Sequence, residues 1–192
     1  MSSFVSRFAP ALALMLAVSV PAAMAQDTDA AATTDDSAAA TAPVRMANGQ
    51  RFGAWTVTCE ALAVNETACV LSQTLVQTEG NNFLAEILAF WSGDGSSSYM
   101  AARVPNGVYF PSGFAFKPED SEERQTFVWQ SCSRELCEAL IEIDAETLKE
   151  LEAGAPVFAG YRPRLGADPM VFQLNLDGIG EGMDALQAAL SN

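Results

Sequence analysis

Apolar and polar side chains alternate from Trp55 to Glu60, with Trp55, Val57 and Cys59 on one side of an extended chain and Thr56, Thr58 and Glu60 on the other. A period of two predicts a half-buried strand. Residues 68–78 form a second β-rich run, and the few residues between the two leave room for a hairpin connection. Residues 83–91 are apolar almost throughout and are bounded by Gly80-Asn81-Asn82 and Ser92-Gly93-Asp94-Gly95, which fits a central strand better than a helix. Glu86 is the one charge in that run. It is expected on the less buried face or paired with an arginine, in preference to being a buried acid of raised pKa.

Beyond residue 98 the pattern predicts a strand, a tight turn at Pro105-Asn106-Gly107, a short strand and a second break at Pro111-Ser112-Gly113. QTFVWQSC leads into Cys132, and CEALIEID leaves Cys137 with Cys137, Ala139, Ile141 and Ile143 on one face. PVFAGYRP and PMVFQLNL predict a hairpin across residues 164–168. Two helices stand out. Asp144 caps AETLKELEAG, which Gly154 ends, and GMDALQAAL places Met183, Leu186 and Leu190 at helical spacing. The fold class that follows is mainly β: an antiparallel β-sandwich or related barrel with one or two short helices.

The N-terminus changes the picture. Arg7, an apolar run over residues 9–20, Pro21 and Ala23-Met24-Ala25 make the three-part pattern of a secretory signal peptide, cleaved between Ala25 and Gln26. Residues 26–43 contain no aromatic side chain and only Ala, Thr, Ser, Asp, Gln and Pro, so they are expected to be a disordered leader. Residues 44–192 have the size of one ordinary domain. The mature chain is expected to carry no transmembrane segment and to reside in the periplasm, at the outer membrane or outside the cell.

The formal charge of −14 argues against nucleic acid as a partner, because binding it depends on basic patches that neutralise phosphate. Histidine is absent. Its absence excludes Ser-His-Asp and Cys-His catalysis and histidine-ligated metal sites. WSGDGSSS and LDGIGEGMD contain glycines and acids, yet neither has the spacing of a helix-loop calcium site or of a phosphate loop. They are read as a hairpin loop and as a turn into the last helix. No catalytic, cofactor-binding or metal-binding residue is assigned.

Export places Cys59, Cys69, Cys132 and Cys137 in an oxidising space where thiols pair. Four cysteines allow three connectivities. Cys59–Cys69 and Cys132–Cys137 are preferred because each pair flanks a turn, and each bond would contribute ~2–3 kcal/mol by restricting the unfolded chain. A thiol-disulfide exchanger using Cys132 and Cys137 is the alternative. The aromatic residues are expected mostly in the core. Tyr109, Phe110, Phe114 and Phe116 crowd around two chain breaks and form a candidate interaction loop.

Five landmarks in order, FGAWTVTCE from Phe52, CVLSQ from Cys69, RVPNGVYFPSG from Arg103, CSRELC from Cys132 and LDGIGEGMDAL from Leu176, resemble the invasion-associated locus B family of exported bacterial proteins. Ala54 stands where that family's Phe-Gly-Asp-Trp has its acid. The resemblance supplies no catalytic motif. It implies a small envelope protein of a Gram-negative bacterium, linked in some pathogens to entry into host cells. The function expected is that of a non-catalytic interaction module that binds a protein or envelope component. Its alternatives are envelope maintenance, carriage of a small apolar ligand in a cavity between sheets, thiol exchange, and hydrolysis by paired carboxylates.

Overall fold

The computed structural model describes residues 45–64 and 66–191, so the signal peptide and leader of the sequence reading lie outside the described residues. Ten strands run in the chain order β1 (Arg51–Phe52), β2 (Trp55–Ala63), β3 (Glu66–Val76), β4 (Phe83–Trp91), β5 (Ser98–Pro105), β6 (Phe114–Pro118), β7 (Gln125–Cys132), β8 (Leu136–Glu142), β9 (Val157–Tyr161) and β10 (Met170–Leu174). Helix α1 (Ala145–Ala153) lies between β8 and β9, and α2 (Ile179–Leu190) follows β10. The strands form one sheet in the order β1-β2-β3-β4-β5-β8-β7-β6-β9-β10, and each pairing is antiparallel. That sheet curls into a half-barrel. Its first strands and its last strands contribute to one core, in which Trp55, Leu71, Ile87 and Met100 join Phe114, Phe116, Ala159 and Leu174.

The period of two that marks β2 in the sequence is the period of its burial: Trp55 and Val57 are buried and Thr58 is exposed. Past Cys59 the hairpin of β2 and β3 leaves the core, and Val64 at its tip is 93% exposed. Asp144 caps α1 by accepting the Thr147 N–H at 2.8 Å. The Thr147 hydroxyl and N–H hold the Asp144 carboxyl below its ordinary value, as an ionised cap requires.

Helix α2 begins three residues before the Gly182 start predicted from the sequence, and the reason is packing. Gly178 (φ 84°) precedes the helix, and Gly53 (φ 52°) turns the chain between β1 and β2. A Cβ on Gly178 would lie 2.4 Å from the Phe52 carbonyl carbon, and one on Gly53 would lie 2.3 Å from the Asp177 oxygen. The two turns therefore touch backbone to backbone, and the Ala54 N–H donates to the Asp177 carbonyl at 2.9 Å. A Cβ on Gly180 or Gly182 would lie 2.8 Å from the Lys149 side chain or 2.6 Å from that of Leu71. These glycines weaken the helical signal in the sequence but let α2 sink onto β1, β3, β4 and α1. The Trp91 indole N–H fixes it there by donating to the Met183 carbonyl at 2.9 Å.

A second stitch joins the two ends of the curl. Gln73 on β3, 8% exposed, donates from Nε2 to the Asn175 carbonyl at 2.6 Å and accepts the Asn175 N–H at 3.2 Å. A side-chain amide thus extends the backbone ladder to a segment that no strand edge reaches.

Two expectations are corrected. No short strand follows Pro105-Asn106-Gly107, because β5 already has β4 on one side and β8 on the other and leaves no edge for a hairpin. The chain instead crosses through a single 3-10 turn at Phe110–Ser112. Phe114 and Phe116 are core residues, 0% and 2% exposed. They lie on β6 between β7 and β9, and their rings meet Phe127 at 5.0 and 5.7 Å.

The backbone contact at Gly178 predicts the effect of a single methyl group. Gly178→Ala is expected to lower the unfolding free energy by about 2–3 kcal/mol, combining positive φ with a clash. Gly107 has φ 104° but nothing within 4 Å of its would-be Cβ, so Gly107→Ala should cost only about 1 kcal/mol. Urea denaturation of both variants tests this. Equal losses would show that the contact with Phe52 contributes nothing.

Candidate interaction surface

Each cysteine pair is a directly opposed cross-strand pair. Cys59 faces Cys69 across β2 and β3, and Cys132 faces Cys137 across β7 and β8, with Cα–Cα distances of 4.1 and 4.0 Å and the sulfurs at bonding distance. CSRELC is the turn of the second hairpin, closed by the Ser133 N–H donating to the Leu136 carbonyl at 2.7 Å. Asn106 clamps that turn from the side. Its N–H donates to the Glu135 carbonyl at 2.8 Å and its amide to the Ser133 carbonyl at 3.0 Å. Cys132 is exposed while Cys137 is fully buried in the core. A thiolate that attacked the exposed sulfur would have to expel the Cys137 thiolate into an apolar interior, where it is a poor leaving group.

The candidate loop is dispersed. Phe114 and Phe116 are in the core and Tyr109 is half-buried; Phe110 alone is exposed, at 55%, lying edge-on over Trp129 with ring centroids 6.1 Å apart. The glycine-rich stretches hold their own anions. In WSGDGSSS the Asp94 carboxylate accepts the Ser92 hydroxyl at 2.6 Å, the Ser96 N–H at 3.1 Å and the Ser96 hydroxyl at 2.8 Å. These bonds, that from Ser92 foremost, lower the Asp94 pKa to about 2. In LDGIGEGMD the start of α2, where the helix dipole would attract a phosphate, is occupied by the Glu152 carboxylate, which accepts the N–H groups of Gly178 and Gly180. Among the described residues no group of three or more Cys, Asp and Glu gathers to hold a metal ion.

What the sequence reading missed is the outer face of the sheet. The register places Ser72, Leu88, Ala101, Leu140 and Val128 in one row across β3, β4, β5, β8 and β7. One step along the strands, Thr74, Glu86, Arg103, Glu138 and Ser131 form a polar row. On the other side of the apolar row Phe90 stacks on Tyr99 at 5.8 Å, and Tyr99 pairs with Glu142. Leu88 and Ala101 are 5% and 2% exposed, yet neither belongs to the core cluster. They floor a trough of ≈ 190 Å³ walled by Glu60, Phe90, Arg103 and Glu138. A larger groove of ≈ 620 Å³, with Met46, Leu62, Trp91 and Leu190 in its walls, adjoins this face at Ala68.

Arg103 organises the polar row. Its Nε donates to Glu138 at 2.8 Å and its Nη1 to Glu86 at 3.4 Å. Burial pulls the guanidinium pKa down, but the hydrogen bond and charge of Glu138, followed by those of Glu86, outweigh it and the net shift is upward. Glu86 is thus the arginine-paired carboxylate expected from the sequence. The sequence did carry a signal for the face: Phe83–Trp91 is apolar on both sides of the strand, while the domain pattern predicts only two short helices to cover a sheet.

The family model described as invasion associated locus B (IalB) protein matches residues 55–187. The chain belongs to this family. Two curated relatives, each named an invasion protein B homolog, come from Brucella abortus strain 2308 and from biovar 1 strain 9-941. Each is 25% identical over 136 residues, which is 70% of this chain and 76% of the relative. The crystal structure of invasion associated protein B from Bartonella henselae matches with a TM-score of 0.61 at 17% identity, over 74% of this chain and 96% of that one. That likeness is one of fold. The matched IalB region contains both cysteine pairs and the whole outer face.

Two measurements follow from this geometry. In native protein treated with mild reductant, neither Cys132 nor Cys137 is expected to take up an alkylating reagent until denaturant is added. Rapid labelling of Cys132 under native conditions would overturn the leaving-group argument. Because Asp94 has a folded pKa below its ordinary value, its contribution to stability is complete above pH 3.8 and fades as the pH falls towards 2. A carboxyl NMR titration should give a midpoint near 2 for Asp94. A midpoint at the ordinary value would show that the serine cradle does not form.

Proposed function

We propose that this IalB-family protein is an exported, non-catalytic interaction module of the bacterial envelope that holds a protein or envelope partner on the outer face of its curled sheet. The observation that carries the reading is the second apolar face of the sheet, where exposed Val128 and half-buried Leu140, Phe90 and Tyr99 surround a floor of Leu88 and Ala101. It lies in a cooperative sheet, crosses several strands and is flanked by stacked aromatic rings. Apolar side chains gathered on a sheet face outside the core mark a candidate contact surface. Rigid strands at fixed register also present it without a large ordering cost.

Several features support the rest of the proposal. The N-terminal sequence has the parts of a signal peptide, and no helix among the described residues is long and apolar enough to cross a membrane. The two cysteine pairs suit an oxidising compartment. The relatives are named for invasion, and a role in host-cell entry is the biological setting proposed for this chain. The carrier and exchanger readings have less behind them. The space within the curl, where a carrier needs its cavity, is filled by Trp55, Phe114, Phe116 and Phe127, and Cys137 is sealed in the core.

Site-specific photo-crosslinking in the producing bacterium tests the reading. A crosslinking side chain at Tyr99 or Leu140 should give a discrete adduct, and one at Leu165 on the β9–β10 hairpin should not. Tyr99→Ser with Leu140→Ser should abolish the adduct while changing stability by no more than about 1–2 kcal/mol, since both positions are only half-buried. An adduct that forms equally from Leu165, or none from the sheet face, would sink the proposal.

A further inference from the structure

Resting on the outer face as the docking surface, we propose that its occupant is a protein segment in which lysine or arginine side chains alternate with apolar ones. The charge on the face decides this. Glu60, Glu86, Glu138 and Glu142 border the apolar row, and Arg103 is the cation among them. Arg103 engages Glu86 and Glu138. Among the described residues neither Glu60 nor Glu142 has an ion-pair partner. A cationic segment would satisfy these two carboxylates, which lie on β2 and β8 on the Phe90–Tyr99 side of the apolar row, and a cation near Glu142 would also meet the Phe90–Tyr99 stack, whose ring faces attract positive charge.

Other occupants fit less well. A second copy docked through the same face would set its surplus carboxylates against identical ones, at a repulsive cost. Nucleic acid is repelled for the same reason. The apolar row from β4 to β7 crosses three strand spacings, about 14 Å, a width that several side chains of an extended segment fill together. Val128 is exposed and Leu140, Phe90 and Tyr99 are half-buried, so a purely polar cation would leave these side chains in contact with water. Arg103 takes a selective role here. It neutralises the two acids on one side of the apolar row, so attraction falls on Glu60 and Glu142 on the other side.

The test uses the mature protein and three capped octapeptides, alternating Leu-Lys, Leu-Glu and Ser-Lys, with affinity read by calorimetry. Leu-Lys should bind, and its affinity should fall about tenfold or more when salt rises from low to high ionic strength. Glu60→Gln with Glu142→Gln, a pair of exposed positions whose change leaves the core intact, should weaken it about tenfold. Val64→Ser at the hairpin tip should leave it unchanged. Circular dichroism confirms that each variant is folded. The proposal falls if Leu-Glu binds as well as Leu-Lys, if Ser-Lys binds equally, or if the glutamine pair has no effect. It also falls if the free protein dimerises in a way that Tyr99→Lys disrupts, which assigns the face to a second copy. Failure of the peptides beside a specific Tyr99 crosslink in the cell would remove the cationic partner and leave the interaction module standing.

Discussion

The position of α2 depends on a contact that allows no side chain: the turn at Gly53 against the turn at Gly178, with the Ala54 N–H bonded to the Asp177 carbonyl. Because backbone meets backbone there, the helix starts directly against the first strands and can lie across the inner face of β3 and β4. Glu152 then supplies the negative charge for the helix start, which draws the end of α1 to the same place. Both helices are thereby committed to one side of the sheet. Among the described residues no helix lies on the outer face as a direct consequence.

The covalent rungs act where burial stops. Trp55 and Val57 hold β2 to the core, but from Glu60 to Ala68 every described residue is exposed, and Cys59–Cys69 closes the ladder at that boundary. Cys132 and Cys137 do the same at the other hairpin, where Cys137 is the last buried residue before the turn. Short loops gain less entropy from closure than long ones. Their value here is local, in holding strand register at the end of a ladder that solvent would otherwise fray.

The outer face shows how one strand serves two surfaces. On β4, Ile87 and Ala89 face the core while Leu88 and Phe90 face away from it. A strand apolar on both faces is usual in a sheet covered on both sides. Among the described residues no second layer covers this face, and the acidic residues that border the row give it negative charge while restricting what can occupy it.

The sequence by itself determined most of the strands, because alternation is a local property. It placed β2, β4, β7, β8 and the β9–β10 hairpin, along with the Asp144 cap and the resemblance that the IalB match now stands behind. It also pointed to the right cysteine partners, since each pair brackets a turn that local residues specify. Tertiary structure decided what depends on neighbours distant in sequence. Phe114 and Phe116 look like a loop patch beside Pro111 and Gly113, and only pairing of β6 with β7 and β9 turns them inward. The glycines of LDGIGEGMD look like a loop until Phe52, Lys149 and Leu71 explain why no larger residue fits. Alternation says that Leu88 and Ile87 face opposite ways, but it cannot say which side receives the helices. That choice is made by packing, and it separates the core from the candidate site.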